Sequence, residues 1–340
     1  MGPTGRSRIV QIHPTRRCNL RCRHCYSSSG PEERDALDAA LLRAALDDAA
    51  ELGYGVISLS GGEPLMYPGL VELLDHGKER GFLNTFTTNG MLLTDARLDE
   101  LRDRVDLMAV SLDGIPDSHD AIRGQKGAFD AMRARLDGLR ASGIPFGFLF
   151  TLTQANVHEL EWVAEFAREQ GARLLQVHPL EEEGRARDEL AGFAPDTVES
   201  AMAHLETLRI RGEVDGQLSV QLDLVNQSSL KANPELVYAG REPDADAPLS
   251  ERISPLIVEA SGELVPLQYG FAREYSLGNL HEGRLADHAE RWIRDVAGGF
   301  EELCRAVHRA ALADTAPPYF NWFDIIGRAS HAAVRERLAV

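Results

Sequence analysis

Six short apolar runs, separated by five longer amphipathic stretches, restrict this chain to few folds. The runs lie at 8–13, 55–60, 82–88, 106–111, 145–151 and 173–177. Helical periodicity fills 36–52, 69–80, 94–104, 127–142 and 158–170 between them. Four of the five stretches stop at a glycine (Gly53, Gly81, Gly143, Gly171), the residue that most easily ends a helix. Crossovers of this length join parallel strands. The pattern therefore predicts an α/β fold on a parallel sheet, and periodicity alone leaves open whether that sheet is flat or curved. Ligands of such folds gather beyond the C-terminal strand ends. The residues with chemical character fall there: a cysteine loop after the first strand, Gly61–Pro64 after the second, Thr88 and Asn89 after the third, Ser111 and Asp113 after the fourth.

The cysteine loop reads Cys18-Asn19-Leu20-Arg21-Cys22-Arg23-His24-Cys25-Tyr26. Three thiolates this close cannot complete a four-ligand site. They can hold three irons of a cubane [4Fe-4S] cluster and leave the fourth iron open, as catalytic metal sites keep a position open. A zinc-binding interaction module using Cys18, Cys22, Cys25 and His24 or His13 is a second reading. Histidine inside the run has poor tetrahedral reach, and Gly61-Gly62-Glu63-Pro64 would then have no purpose.

Composition removes other classes. At 340 residues the chain can bury a large core. A net charge of −17 argues against a nucleic-acid surface, which is normally basic. No apolar run approaches the roughly 18 residues of a membrane span, and no secretory signal is expected. Four cysteines, three in one short run, point to metal binding in a reducing cytoplasm and not to a disulfide framework.

The cysteine spacing, Tyr26 after the third cysteine and Gly61-Gly62-Glu63-Pro64 together resemble the radical S-adenosylmethionine (SAM) superfamily. That resemblance implies a partial (β/α)6 TIM-like barrel with Cys18, Cys22 and Cys25 as ligands of one [4Fe-4S] cluster. It implies that SAM binds the open iron and is cleaved reductively to a 5′-deoxyadenosyl radical, with an electron donor such as flavodoxin or ferredoxin. Site residues follow. Gly61, Gly62, Glu63 and Pro64 meet the charged end of SAM, with Glu63 or local carbonyls accepting from its ammonium. Arg123 pairs with its carboxylate. Ser111 and Asp113 lie near ribose and methionine. Thr88, Asn89, Thr151 and Val177 are further cofactor contacts, and Tyr26 meets adenine.

Beyond Pro179 the pattern changes. The expected division is a barrel core over 1–180, a helical and acidic linker over 181–250, a small extension over 251–313 and an aromatic tail over 314–340. A helix is expected over 196–209 and a mostly irregular segment over 233–248. The acidic runs 181–183 and 244–246 read as solvated faces. Two short runs around Ser261-Gly262 read as a β-hairpin, followed by Gly278-Asn279-Leu280 and a helix near 285–296. This order resembles the SPASM or twitch extension of radical SAM enzymes, which normally carries cysteines for auxiliary clusters. Here Ile253 stands before the hairpin and Leu267 follows Pro266 where cysteines would be. Cys304 alone is left, as buried packing, a remnant cluster ligand or a hydrogen-donating thiol. His178 either faces the active site or is a rim or core histidine, Tyr269 is a core or chamber residue, and His24 a solvent-facing loop residue.

Without auxiliary clusters, redox-neutral outcomes such as epimerisation, carbon-skeleton joining or rearrangement are easier to explain than net oxidation. The substrate class implied is a peptide, as in ribosomal peptide maturation, or another natural product. A small metabolite such as a sugar, nucleoside or tetrapyrrole is the alternative. A cluster-binding scaffold without activity is an alternative of another class.

Overall fold

The computed structural model describes residues 8–214, 216–237 and 247–338. The acidic run 244–246 lies outside them. All six strand expectations are met within two residues: β1 Ile9–Ile12, β2 Val56–Leu59, β3 Leu83–Thr88, β4 Leu107–Ser111, β5 Phe146–Leu152 and β6 Leu174–Pro179. They pair in parallel in chain order, from Ile9 opposite Val56 to Leu152 opposite Pro179. Within the parallel core, three elements went unread in the sequence or took another form. Strand β7, Ser219–Leu222, adds to β6 in parallel. Helix Pro116–Arg123 fills the β4–β5 crossover, with proline in its first turn and Gly124 as its left-handed cap. The stretch 127–142 is two helices, Ala128–Arg133 and Leu136–Ser142.

After a two-residue strand β8, Val225–Asn226, the chain returns to the free edge of β1. There β9, Leu256–Val258, pairs parallel with β1, and β10, Glu263–Pro266, and β11, Gly278–Asn279, continue antiparallel. The expected hairpin is therefore part of the main sheet, which runs β11-β10-β9-β1-β2-β3-β4-β5-β6-β7 with unpaired ends. Helix Thr197–Glu213 starts at Asp196, whose carboxylate and Glu199 form a reciprocal capping box. Helices Leu285–Asp295 and Ala297–Leu312 follow the hairpin. In the aromatic tail β12, Tyr319–Phe320, pairs with β8, and helix Trp322–Leu338 follows. No helix among the described residues is long and apolar enough to cross a membrane.

The two sheet faces differ. Val10, Ile12, Ile57, Leu59, Phe86, Met108, Val110, Phe148 and Leu175 lie in the main core with the helices. Each buried aliphatic or aromatic side chain of this kind contributes about 1.5–3 kcal/mol. The alternate residues Gln11, Ser58, Ser60, Thr85, Thr87, Gln176 and His178 are only partly covered. Strand periodicity thus gives β1–β7 one apolar, buried face and one partly open face, on which these polar side chains mix with Ile9, Val56, Leu107, Ala109, Leu149 and Leu174.

Candidate active site

The cysteine loop begins one turn beyond β1 and hangs from its neighbours by main-chain bonds. Cys18 N–H donates to the Gly30 carbonyl (3.1 Å), Gly30 N–H to Arg16 (3.1 Å) and Arg23 N–H to Ile122 (2.9 Å). Cys18, Leu20 and Cys22 form a small buried cluster with Cys25 and Met91 packed against it, separate from the main core. Each sulfur has its own donor: Leu20 N–H to Cys18 at 3.4 Å, Arg123 Nη1 to Cys22 at 3.8 Å and Ser29 N–H to Cys25 at 3.3 Å. Burial pushes the Cys18 thiol up to about 12 and the Cys22 thiol up as well, with Arg123 opposing the latter. Metal loading would therefore release protons. Among the described residues no three His, Cys, Asp or Glu side chains converge tightly enough to hold a single ion. A cubane asks for something different, three thiolates set apart at separate irons and stabilised by donors to sulfur, and this donor set fits it.

The glycines of Gly61-Gly62-Glu63-Pro64 are required by the protein's own backbone. A Cβ on Gly62 would lie 2.2 Å from the Arg17 carbonyl oxygen, and one on Gly61, at φ +101°, 2.8 Å from that of Thr15. Gly62 and Glu63 N–H groups donate to the same two carbonyls, at 2.9 and 3.0 Å. The segment thus docks the stem of the cysteine loop, and Pro64 opens the short 3₁₀ turn that follows. Gly62→Ala is expected to displace that stem, cost about 1–3 kcal/mol and lower the iron retained per chain after reconstitution. Unchanged iron content would show that the stem tolerates the shift.

Glu63 is buried, and its carboxylate is turned toward β3. It accepts from Thr88 Oγ1 (2.8 Å), Asn89 N–H (2.9 Å) and Leu65 N–H (3.2 Å). Burial raises it to about 7 against the pull of these bonds. Asn89 continues the link, donating to Asn19 Oδ1 in the cysteine loop at 2.8 Å. Thr88, Asn89 and Glu63 therefore brace one another, and the acceptors left at this turn are main-chain carbonyls.

At the end of β4, Asp113 and Arg123 form a buried ion pair, Nε to Oδ2 at 2.6 Å. Burial alone would raise Asp113, but Arg123, then His24 and His119, hold it near 2. Asp113 Oδ1 also accepts from Thr151 N–H (3.2 Å), while Asn156 Nδ2 donates to the Asp113 and Thr151 carbonyls. Ser111 is buried beside them. Arg123 thus bridges Asp113 and the Cys22 sulfur. His24 is only partly exposed, with its Nδ1 buried: burial lowers its imidazole to about 4, and Asp113 and Arg123 lie close enough to act on it.

The open face meets the loop at its rim. Tyr26 OH is hydrogen-bonded to Ser60 Oγ at 3.0 Å, and its ring packs edge-on against His13 and Tyr269. Tyr269, from the hairpin, stacks on His13 at 4.9 Å, and His13 Nδ1 is buried without a partner. Across the mouth, His178 Nδ1 meets Asp223 at 3.0 Å and Nε2 meets Glu181 at 3.4 Å. Burial disfavours the imidazolium, yet these two bonds raise it to about 10. Asn321 of the tail also donates to Glu181 (3.1 Å), so Glu181 is not part of a solvated face. Val177 turns its side chain into the main core, and its carbonyl accepts from Asp223 N–H. Sequence reasoning missed Asp223, whose partners Gln176 and His178 are remote in the chain, and Asn156 and His119, which no local motif marks.

Cys304 lies apart from the loop, buried in the main core on helix Ala297–Leu312, with Glu301 and Arg305 as its charged neighbours. Burial pushes its thiol up. Cys304→Ala is expected to leave iron content unchanged, which colorimetric iron analysis can check.

Residues 12–167 match the Radical SAM superfamily. The chain is 37% identical over 164 residues to Fe-coproporphyrin III synthase of Methanosarcina barkeri, covering 48% of this chain and 41% of that protein. It is 35% identical over 207 residues to PqqA peptide cyclase of Ruegeria pomeroyi, covering 60% and 54%. It therefore spans about half the length of these curated relatives. Among solved structures, SuiB of Streptococcus suis bound to precursor peptide SuiA superposes with a TM-score of 0.68 at 18% identity, over 92% of this chain and 74% of that one. That likeness shows the fold: the parallel core is an unclosed, partial TIM-like barrel. The three-thiol loop at its rim, the Gly-Gly-Glu-Pro turn that docks it and the family match agree: residues 12–167 form a radical SAM domain, of a superfamily that uses a [4Fe-4S] cluster and SAM.

Proposed function

We propose that the chain is a cytoplasmic radical SAM enzyme that binds one cluster through Cys18, Cys22 and Cys25 and acts on a peptide. The observation that carries the cluster reading is the loop itself, three thiols with a separate donor to each sulfur. When bound, the cluster and SAM together supply a 5′-deoxyadenosyl radical able to take hydrogen from unactivated carbon. The protein's part is to hold and orient. The carbonyls around Gly61 and Gly62 suit the ammonium of SAM, and Arg123 its carboxylate. Ser111 and the Asp113–Thr151 group suit ribose and methionine, while Tyr26 suits adenine. Electrons would come from a low-potential donor such as flavodoxin or ferredoxin.

The open face of β1–β7 favours a peptide over a tetrapyrrole. It offers hydroxyls and amides from Gln11, Ser58, Thr85, Thr87 and Gln176 alongside apolar Ala109 and Leu149, and none of its described strand positions is Lys or Arg. A tetrapyrrole with carboxylate side chains needs cationic partners. A peptide needs hydrogen bonds along its length. The reconstituted chain should be assayed with SAM, reductant and either coproporphyrin III or synthetic peptides deuterated at the α- and β-carbons. Deuterium appearing in 5′-deoxyadenosine from a peptide supports the proposal. Turnover accelerated by coproporphyrin III alone overturns the peptide reading.

A further inference from the structure

Arg185 follows β6 by six residues, and the hydrogen bonds of its side chain run to the cysteine loop. Nε donates to the Cys22 carbonyl at 2.9 Å, Nη1 to that of Ser28 at 3.3 Å and Nη2 to that of Ser29. Its own main-chain N–H donates to the Cys25 carbonyl at 3.0 Å. The preceding Gly184, at φ +56°, lies so close that a Cβ would sit 2.1 Å from the Tyr26 carbonyl oxygen. Among the described residues no carboxylate pairs with Arg185. An arginine is ordinarily solvated or paired with an acid; this one instead satisfies three partly buried main-chain acceptors, of which the Cys22 carbonyl also accepts from Cys25 N–H at 3.3 Å.

The planar fork of a guanidinium can reach three carbonyls at fixed angles, and the point charge of a lysine cannot. The carbonyls it holds bracket the turn from Cys22 to Ser29. That turn sets the second and third sulfurs relative to each other, and aims Ser29 N–H at the Cys25 sulfur.

We infer that Arg185 is a positioning residue for the cluster. Its fork geometry fixes the Cys22–Ser29 turn, and with it the hold on iron and the sulfur hydrogen bond that tunes the cluster's potential. This rests on the cluster reading above. The test compares Arg185→Lys and Arg185→Met with the parent full-length chain. All three are reconstituted anaerobically with iron and sulfide. Four quantities are read: iron retained after desalting, thermal melting by circular dichroism, the electron paramagnetic resonance signal of the reduced cluster, and amide exchange of residues 18–30.

Both variants are expected to melt like the parent while losing at least half the retained iron. The resonance signal should change, and amides at 28–30 should exchange at least tenfold faster, with lysine giving no rescue. Parent-like behaviour of Arg185→Lys would overturn the inference in favour of simple charge. Parent-like behaviour of both, or loss of the sheet signal in both, would overturn it as well. If the parent itself takes up no iron, the cluster reading fails, while amide exchange in the iron-free chains still decides what Arg185 holds.

Discussion

Replacing Cys22 by alanine is expected to abolish both cluster assembly and SAM cleavage while leaving the sheet folded. Three thiolates are the minimum that leaves one iron open, and no other cysteine stands near, since Cys304 lies in the main core. The change removes little packing: Cys22 belongs to a small satellite cluster, so a loss of about 1 kcal/mol is expected. It also strips the Arg123 guanidinium of its sulfur acceptor, but Asp113 still pairs with it. Circular dichroism should be unchanged, iron should fall to background, and no 5′-deoxyadenosine should form. Deoxyadenosine produced by the iron-free variant would contradict the mechanism outright.

Arg123→Ala should have the second largest effect, and its signature is pH dependence. Asp113 is fully buried and its partner holds it near 2, against an ordinary value of 3.8. In the parent, that stabilisation is fully present above about pH 3.8 and is lost as pH falls toward 2. Without Arg123, burial dominates and the carboxyl titrates above its unfolded value, so stability then declines as pH rises. Removing one partner of a buried pair costs about 3–5 kcal/mol, and that deficit should be greatest near neutral pH and shrink on acidification. Denaturant unfolding at pH 7.5 and pH 5 measures it. The cluster should survive, because all three thiolates remain, while SAM binding weakens. A deficit that does not vary with pH would mean that Asp113 has found another partner.

Much of this was legible before any coordinates. The two-residue period of strands and the glycine stops put all six parallel strands in place, because local pattern determines them. The loop ligands were legible because Cys18, Cys22 and Cys25 are close in the chain. What remained hidden depends on contacts between distant segments. Strand β7 is four residues of ordinary composition, and its pairing with β6 defines it. The glycines 61 and 62 are expected to meet the charged end of SAM; the structure adds that they also make room for residues 15–17. His24 is expected to face solvent, but it is only partly exposed and lies near the Asp113–Arg123 pair, about a hundred residues further along the chain. Arg185 sits in a sequence with no motif at all, and only the course of the chain beyond β6 brings its fork to the cysteine loop.

The central claim is that one open-sited cluster on this loop works on SAM. The most direct measurement is anaerobic: reconstitute the chain with iron and sulfide, count iron, reduce, add SAM and assay 5′-deoxyadenosine. The account expects about four irons per chain and deoxyadenosine formed in a reductant-dependent way. About eight irons would contradict the single cluster, and a fully loaded, reduced cluster that leaves SAM intact even with substrate would contradict the assigned chemistry.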